Sequence, residues 1–255
     1  LDKLKIQFHV FKAGTYKSAT EPFLRDNMSR YAKEANLAWL NILWDYYKIV
    51  VTQQRGLDPQ DLDDYVNNIP DHLAKANGDA AMMALNLGLV DELKTRDEVR
   101  EELVELVGKD KDGITFKQIV FDKYLSRIRP ALMESTAHDD KIGVIVASGV
   151  IMDGEQPAGR IGGDTMVDLL MRAREDDQIK ALVVRIDSGG GSAAASEVIR
   201  REIELTRQAG KPVFVSMGSI ASSGGYWIAA PADQIWATPT TITGSIGIWG
   251  AFPTF

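Results

Sequence analysis

Polar and apolar residues alternate along Lys3–Phe11 (KLKIQFHVF), the period-two pattern of a half-buried strand, and the glycine and threonine of the following AGTYKSATEP break it. From Pro22 to about Gln54 the apolar residues Phe23, Leu24, Met28, Tyr31, Leu37, Leu40, Leu43, Trp44 and Tyr47 recur at helical spacing. That predicts one long helix or two broken ones, punctuated by RGLDPQDLDDY. Short amphipathic helices follow in DAAMMALNLGLVDEL and TRDEVREELVELVG, with Gly88 and Gly108 as their stops. Between Lys109 and Lys141 the chain turns polar and charged, as a junction between units does, so the expected division is 1–108, a linker 109–141, and 142–255.

Beyond that junction the pattern is clearest. KIGVIVASGVI, IKALVVRIDS, KPVFVSMGS and QIWAT read as strands, and GDTMVDLLMRARED, SAAASEVIRREIELTRQAG and SGGYWIAAPA as the helices between them. Such alternation predicts an α/β unit with a parallel sheet covered by helices on both faces. In such sheets reactive groups collect where strands end and helices begin. Three loops at one sheet edge qualify, DSGGGSAAASE, SMGSIASSGGYW and TPTTITGSIGIWG, each combining glycines with hydroxyls.

Composition narrows the chemistry. The 36 acidic and 29 basic side chains give a formal charge of -7, which disfavours nucleic acid or an anionic membrane surface as the main partner. Without cysteine there is no disulfide, thiolate metal site or cysteine nucleophile. No His/Asp/Glu cluster has metal spacing, and no cofactor is expected. No apolar run is long enough to span a bilayer. The chain opens on LDKLKIQFHVFKAG and closes on AFPTF, so it reads as part of a longer polypeptide whose other parts could hold an anchor.

Ser223, at a strand-to-helix turn before Gly224-Gly225, can project its hydroxyl while glycine amides approach a developing oxyanion. It needs a base. The three histidines, His9, His72 and His138, lie outside the three loops, and no G-x-S-x-G elbow is present. A lysine can serve if its amine is neutral, whereas only about one free lysine in 2,500 is so at pH 7. Half-neutralisation takes a shift of ~3 units, or ~4–5 kcal/mol, which burial must supply. Lys17, at the end of an apolar strand beside glycine and aromatic residues, suits that requirement better than the lysines on charged helices. Read alone, Ser223 equally suits a helix N-cap, Lys17 a snorkelling surface lysine and Ser245 a turn residue. Asp187 and Glu197 read as residues that cap and solvate the helix after the glycine loop, and the Trp39, Trp44, Tyr46, Tyr47 cluster as core or subunit contact. DSGGGSAAASE lacks both the G-x-G-x-x-G spacing and a Walker lysine.

Taken together, TYKSATEPFLRDNMS, ANGDAAMMALNLGLVDEL, RIDSGGGSAAASEVIRREI and SMGSIASSGGYWIAAPADQIWATPTTITGSIGIWG closely resemble the signal peptide peptidase A (protease IV) family of bacterial serine peptidases. The resemblance implies the Clp protease/crotonase-like fold in two homologous halves, with this chain holding the end of the first and the start of the second. By motif it implies Ser223 as nucleophile, Lys17 as its base, Ser245 as the hydroxyl orienting the lysine, and the amides of Gly190 and Gly224 as the oxyanion hole. It further implies hydrophobic peptide substrates such as cleaved signal peptides, a homotetramer, and a place on the periplasmic side of the bacterial inner membrane. Two positions depart from the family pattern: Gly189 replaces a proline, and Ser222 stands where alanine is usual. A crotonase-type acyl-CoA enzyme and a non-catalytic membrane quality-control scaffold are the rival function classes.

Overall fold

The computed structural model describes residues 2–128 and 140–255; His138 and part of the expected linker lie outside them. A short 3-10 turn precedes β1 (Gln7–Lys12), and a second one at Glu21–Phe23 leads to the long helix α1 (Arg30–Arg55). Then come α2 (Pro59–Asn67), α3 (Ile69–Lys75), α4 (Ala80–Asn86), α5 (Arg96–Val107) and α6 (Phe121–Ile128). The remainder is β2 (Lys141–Ser148), β3 (Ile151–Met152), β4 (Ile161–Gly162), α7 (Gly163–Glu175), β5 (Ile179–Ser188), α8 (Ala193–Gln208), β6 (Val213–Ala221), α9 (Gly224–Ala229), β7 (Gln234–Trp236) and β8 (Trp249–Thr254).

The described residues form two compact units, one drawn from 1–44 and 138–255, the other from 45–137. This differs from a division at 109–141. The reason is long-range pairing: β1 runs antiparallel to β8, in register from Gln7↔Thr254 to Lys12↔Trp249, so the first strand belongs with the α/β segment. Local polarity marks a composition change but carries no information about such pairing.

In the first unit β2, β5, β6 and β7 form a parallel sheet in the order β2-β5-β6-β7. The helices α7, α8 and α9 touch one another in succession and contact these strands, forming one layer over one face. Beneath it Leu182, Val184, Ile186, Val213 and Val215 are fully buried against Leu170, Ile199, Ile203 and Ile228. Each such side chain contributes about 1.5–3 kcal/mol relative to exposure. The expected cover on both faces is not observed among the described residues: along β2, Ile145 and Ala147 are buried while Ile142, Val144 and Val146 are exposed. An unbroken apolar run reads as a strand buried on both sides, but here only alternate residues meet the helical layer.

In the second unit RGLDPQDLDDY, which punctuates the pattern, also starts a helix. Asp58 accepts from Gln60 N at 2.8 Å, Asp61 reaches back to Asp58 N, and Pro59 occupies the first turn. Arg55 donates to Gly88 O at 2.9 Å and pairs with Asp91 at 3.0 Å, holding the end of α1 to the turn after α4. A second capping box, Thr95 with Glu98, opens α5, and Gly108 ends it as expected. Among the described residues no helix is long and apolar enough to cross a membrane.

Candidate active site

The parallel order puts the ends of β5, β6 and β7 at one sheet edge, and the three hydroxyl-rich loops meet there. Ser222 N donates to Ser188 O at 3.0 Å, Ser223 N to Gly244 O at 2.8 Å, and Ala221 N to Ile242 O at 2.9 Å. Ser223, two residues beyond the end of β6, has φ 50° and ψ -119°, outside the regions an L-residue ordinarily occupies. Such backbone strain is of order 1–3 kcal/mol and persists only when the surroundings over-determine it. Here the bond to Gly244 and the close approach of the next residue do so. A Cβ on Gly224 would stand 2.5 Å from Ser196 Oγ. The result is a strained elbow without a G-x-S-x-G sequence, so the sequence pattern carries no sign of it.

Ser223 occupies the N-cap position of α9, but its side chain makes no capping hydrogen bond. Its Oγ lies instead 2.9 Å from Lys17 Nζ. That amine also lies 2.8 Å from Ser245 O and 3.0 Å from Ser245 Oγ. The lysine loop and the Ser245 loop are interlocked by Ala13 N donating to Ile248 O at 2.9 Å and by two glycines. A Cβ on Gly14 would stand 2.5 Å from Ile246 O, and one on Gly247 would collide with Ala13 O. Lys12 Nζ secures the loop by donating to Lys17 O at 3.0 Å.

Lys17 is 5% exposed. Burial pushes its amine below the ordinary lysine range, and no carboxylate opposes that shift. A neutral amine has two N–H bonds and one lone pair. Both hydrogens find acceptors on Ser245, which leaves the lone pair for the Ser223 hydroxyl. Ser245 itself is held at φ 53°, a left-handed conformation that turns both its oxygens toward the amine.

The glycine loop differs from expectation at one atom. Gly190 N–H donates to Ser188 Oγ at 3.1 Å, so it is engaged within the loop rather than turned toward Ser223. Gly190 O accepts from Ile151 N at 3.0 Å. In a planar trans peptide the C=O and the next N–H point opposite ways, so Gly191 N–H faces away from β3. Gly190 packs closely against Gly224 N and the Ser223 side chain, where a Cβ on Gly190 would stand 2.6 Å and 2.9 Å away. Lys17, Ser223 and Ser245 line one cleft of about 490 Å³ with Gly189–Ser192, Trp227, Ile248 and Trp249.

The remaining candidates take structural roles. Ser192, not Asp187, caps α8 by accepting from Ala195 N at 3.2 Å, whereas Asp187 accepts from Ile220 N at 3.2 Å. Glu197 pairs with Arg200 and accepts from Trp227 Nε1 at 3.0 Å. His9 lies 3.1 Å from Thr254 Oγ1 and stacks on Phe252, and His72 pairs with Asp64, so neither enters the cleft. Tyr46 and Tyr47 are exposed on α1. Among the described residues no group of three or more His, Asp or Glu side chains could hold a metal.

The model of peptidase family S49 matches residues 1–110 and 205–255. The chain belongs to this family. It is 47% identical over 254 residues to Protease 4 of Salmonella typhi, covering 100% of this chain and 40% of that protein. It is 43% identical over 258 residues to Protease 4 of Haemophilus influenzae, covering 100% and 41%. To the chloroplastic serine protease SPPA of Arabidopsis thaliana it is 30% identical over 251 residues, covering 97% and 36%. The chain thus spans about two fifths of the length of these relatives.

Proposed function

We propose that the protein containing this chain is a serine endopeptidase that works through a Ser-Lys dyad. The observation that carries the reading is the buried Lys17 amine, 2.9 Å from Ser223 Oγ with Ser245 accepting both its hydrogens. Lys17 takes the hydroxyl proton as Ser223 Oγ attacks the peptide carbonyl carbon. The oxyanion that forms accepts from Gly224 N–H and, in place of Gly190, from Gly191 N–H. Protonated Lys17 then delivers its proton to the leaving amine, the C–N bond breaks, and an acyl-enzyme remains. Water, deprotonated by Lys17, attacks the ester; the tetrahedral adduct collapses and Ser223 recovers its proton.

Substrates on this reading are extended hydrophobic segments such as cleaved signal peptides. The apolar side chains of Trp227, Ile248 and Trp249 in the cleft support that class, as do the main-chain edges of Gly189–Ser192 and Gly247–Trp249 between which a peptide strand can lie. By family resemblance the enzyme works as a homotetramer at the periplasmic face of the bacterial inner membrane. The test is hydrolysis of a synthetic signal peptide by the full-length protein and by its Lys17→Met and Ser223→Ala variants. Loss in both variants is expected, and turnover persisting in either contradicts the dyad.

A further inference from the structure

Two buried hydroxyls beside the dyad take no part in the proton transfers above. Ser188 is 1% exposed and Ser222 is 6% exposed. Ser222 Oγ donates to Gly189 O at 3.3 Å. Ser188 Oγ accepts from Gly190 N at 3.1 Å and places its own proton on Gly149 O at 2.7 Å. Gly189 C=O and Gly190 N–H are the two ends of one peptide plane, so the two hydroxyls grip that plane at both ends.

The grip matters because of what the loop is made of. Gly189-Gly190-Gly191 has no side chain to restrict its rotations, and Gly190 is held at φ +94°. Turning the Gly189–Gly190 plane over would break both hydroxyl bonds and reorient Gly190. The following plane, whose C=O accepts from Ile151 N and whose N–H is that of Gly191, hinges on the same Gly190 Cα, so slack in the first plane loosens the aim of the second. An oxyanion donor is effective only if it is already aimed when charge develops.

We infer that Ser222, together with Ser188, is a positioning residue that locks the glycine-loop peptide so that Gly191 N–H stays aimed at the oxyanion. This rests on the dyad reading, and it gives Ser222 a role distinct from that of its nucleophilic neighbour. Ser222 acts through the Gly189 carbonyl, to which its hydroxyl donates.

The test uses full-length protein with its reactive serines counted by a fluorophosphonate titrant. Per titrated site, Ser222→Ala is expected to lower kcat roughly tenfold with KM within about twofold, a fraction of the ~10²–10³ lost when an oxyanion donor is removed outright. Affinity for a peptide aldehyde, whose adduct places an oxygen in the same hole, falls by the same factor. Ser222→Ala combined with Gly189→Pro, which stiffens the loop at a residue outside the left-handed region, regains most of the loss. A Ser222→Ala protein with fewer titratable sites but wild-type kcat at each overturns the inference, because the hydroxyl would then serve folding alone. Should Ser222→Ala not fold, Ser222→Thr carries the test: wild-type kcat per site supports the lock, and a tenfold loss overturns it. Wild-type protein with no titratable serine contradicts the dyad and the lock with it, whereas titratable sites with unchanged kcat in Ser222→Ala contradict the lock alone.

Discussion

Lys17 Nζ and Ser223 Oγ stand 2.9 Å apart although 206 positions separate them in the chain. Neither loop alone builds the site. Lys17 is delivered by the turn after β1, Ser223 by the elbow after β6, and the antiparallel pairing of β1 with β8 joins the segments that hold them.

A dyad works as one unit, so on the proposed mechanism the two removals are not additive. Lys17→Met and Ser223→Ala are each expected to lower kcat/KM by on the order of 10³-fold or more, and the double variant to fall no further than the worse single one. Steady-state hydrolysis by the four proteins checks this. Multiplied losses would mean that the residues act independently.

Burial lowers the Lys17 amine, so the group is neutral over part of the range in which a free lysine is charged. Activity should therefore rise with pH through a Lys17 pKa below 10.5. Stability follows with the same sign. Between the folded and unfolded lysine pKa values the unfolded chain holds more protons, so the unfolding free energy increases with pH in that window. Denaturant melts across pH should show this slope in wild type and not in Lys17→Met.

Ser245→Ala removes one of the two acceptors that orient the amine and leaves the other, the carbonyl of residue 245, in place. A partial loss follows, about 10- to 100-fold in kcat, the low end of what a mispositioned general base forfeits. An unchanged kcat would show that the carbonyl suffices.

Backbone approach distinguishes glycines that look alike in sequence. Gly14→Ala places a Cβ against Ile246 O at a residue with φ 104°, and is expected to destabilise by roughly 2–4 kcal/mol. Gly189→Ala meets nothing nearer than Ile220 Cδ1 at 3.7 Å, and its φ is outside the left-handed region, so it should stabilise by about 0.4–1 kcal/mol. Urea melts of the two variants read the difference.

Much of this was legible in the residues. β5 is found at Ile179–Ser188, as its period and flanks predict, and Lys17 Nζ lies 2.9 Å from Ser223 Oγ and 3.0 Å from Ser245 Oγ, three residues that the motifs single out. What was not legible depends on distant partners or on peptide orientation. β8 contains Pro253, which argues against a strand, and it forms because β1 is available some 240 positions away. α6 lies in a stretch whose charge reads as linker. The run KIGVIVAS does not announce that Ile142, Val144 and Val146 face away from the helices. Which way a glycine peptide turns has no signature in the letters, and the engagement of the Gly190 amide with Ser188 Oγ arises only in the folded loop.

The most direct measurement is the rate at which a fluorophosphonate modifies Ser223 in full-length protein as pH is varied, in wild type and in Lys17→Met, with the site located by peptide mass spectrometry. A neutral Lys17 acting as base predicts a wild-type rate that climbs through a pKa below 10.5 and almost no modification without the amine. Equal rates at Ser223 in the two proteins would contradict it.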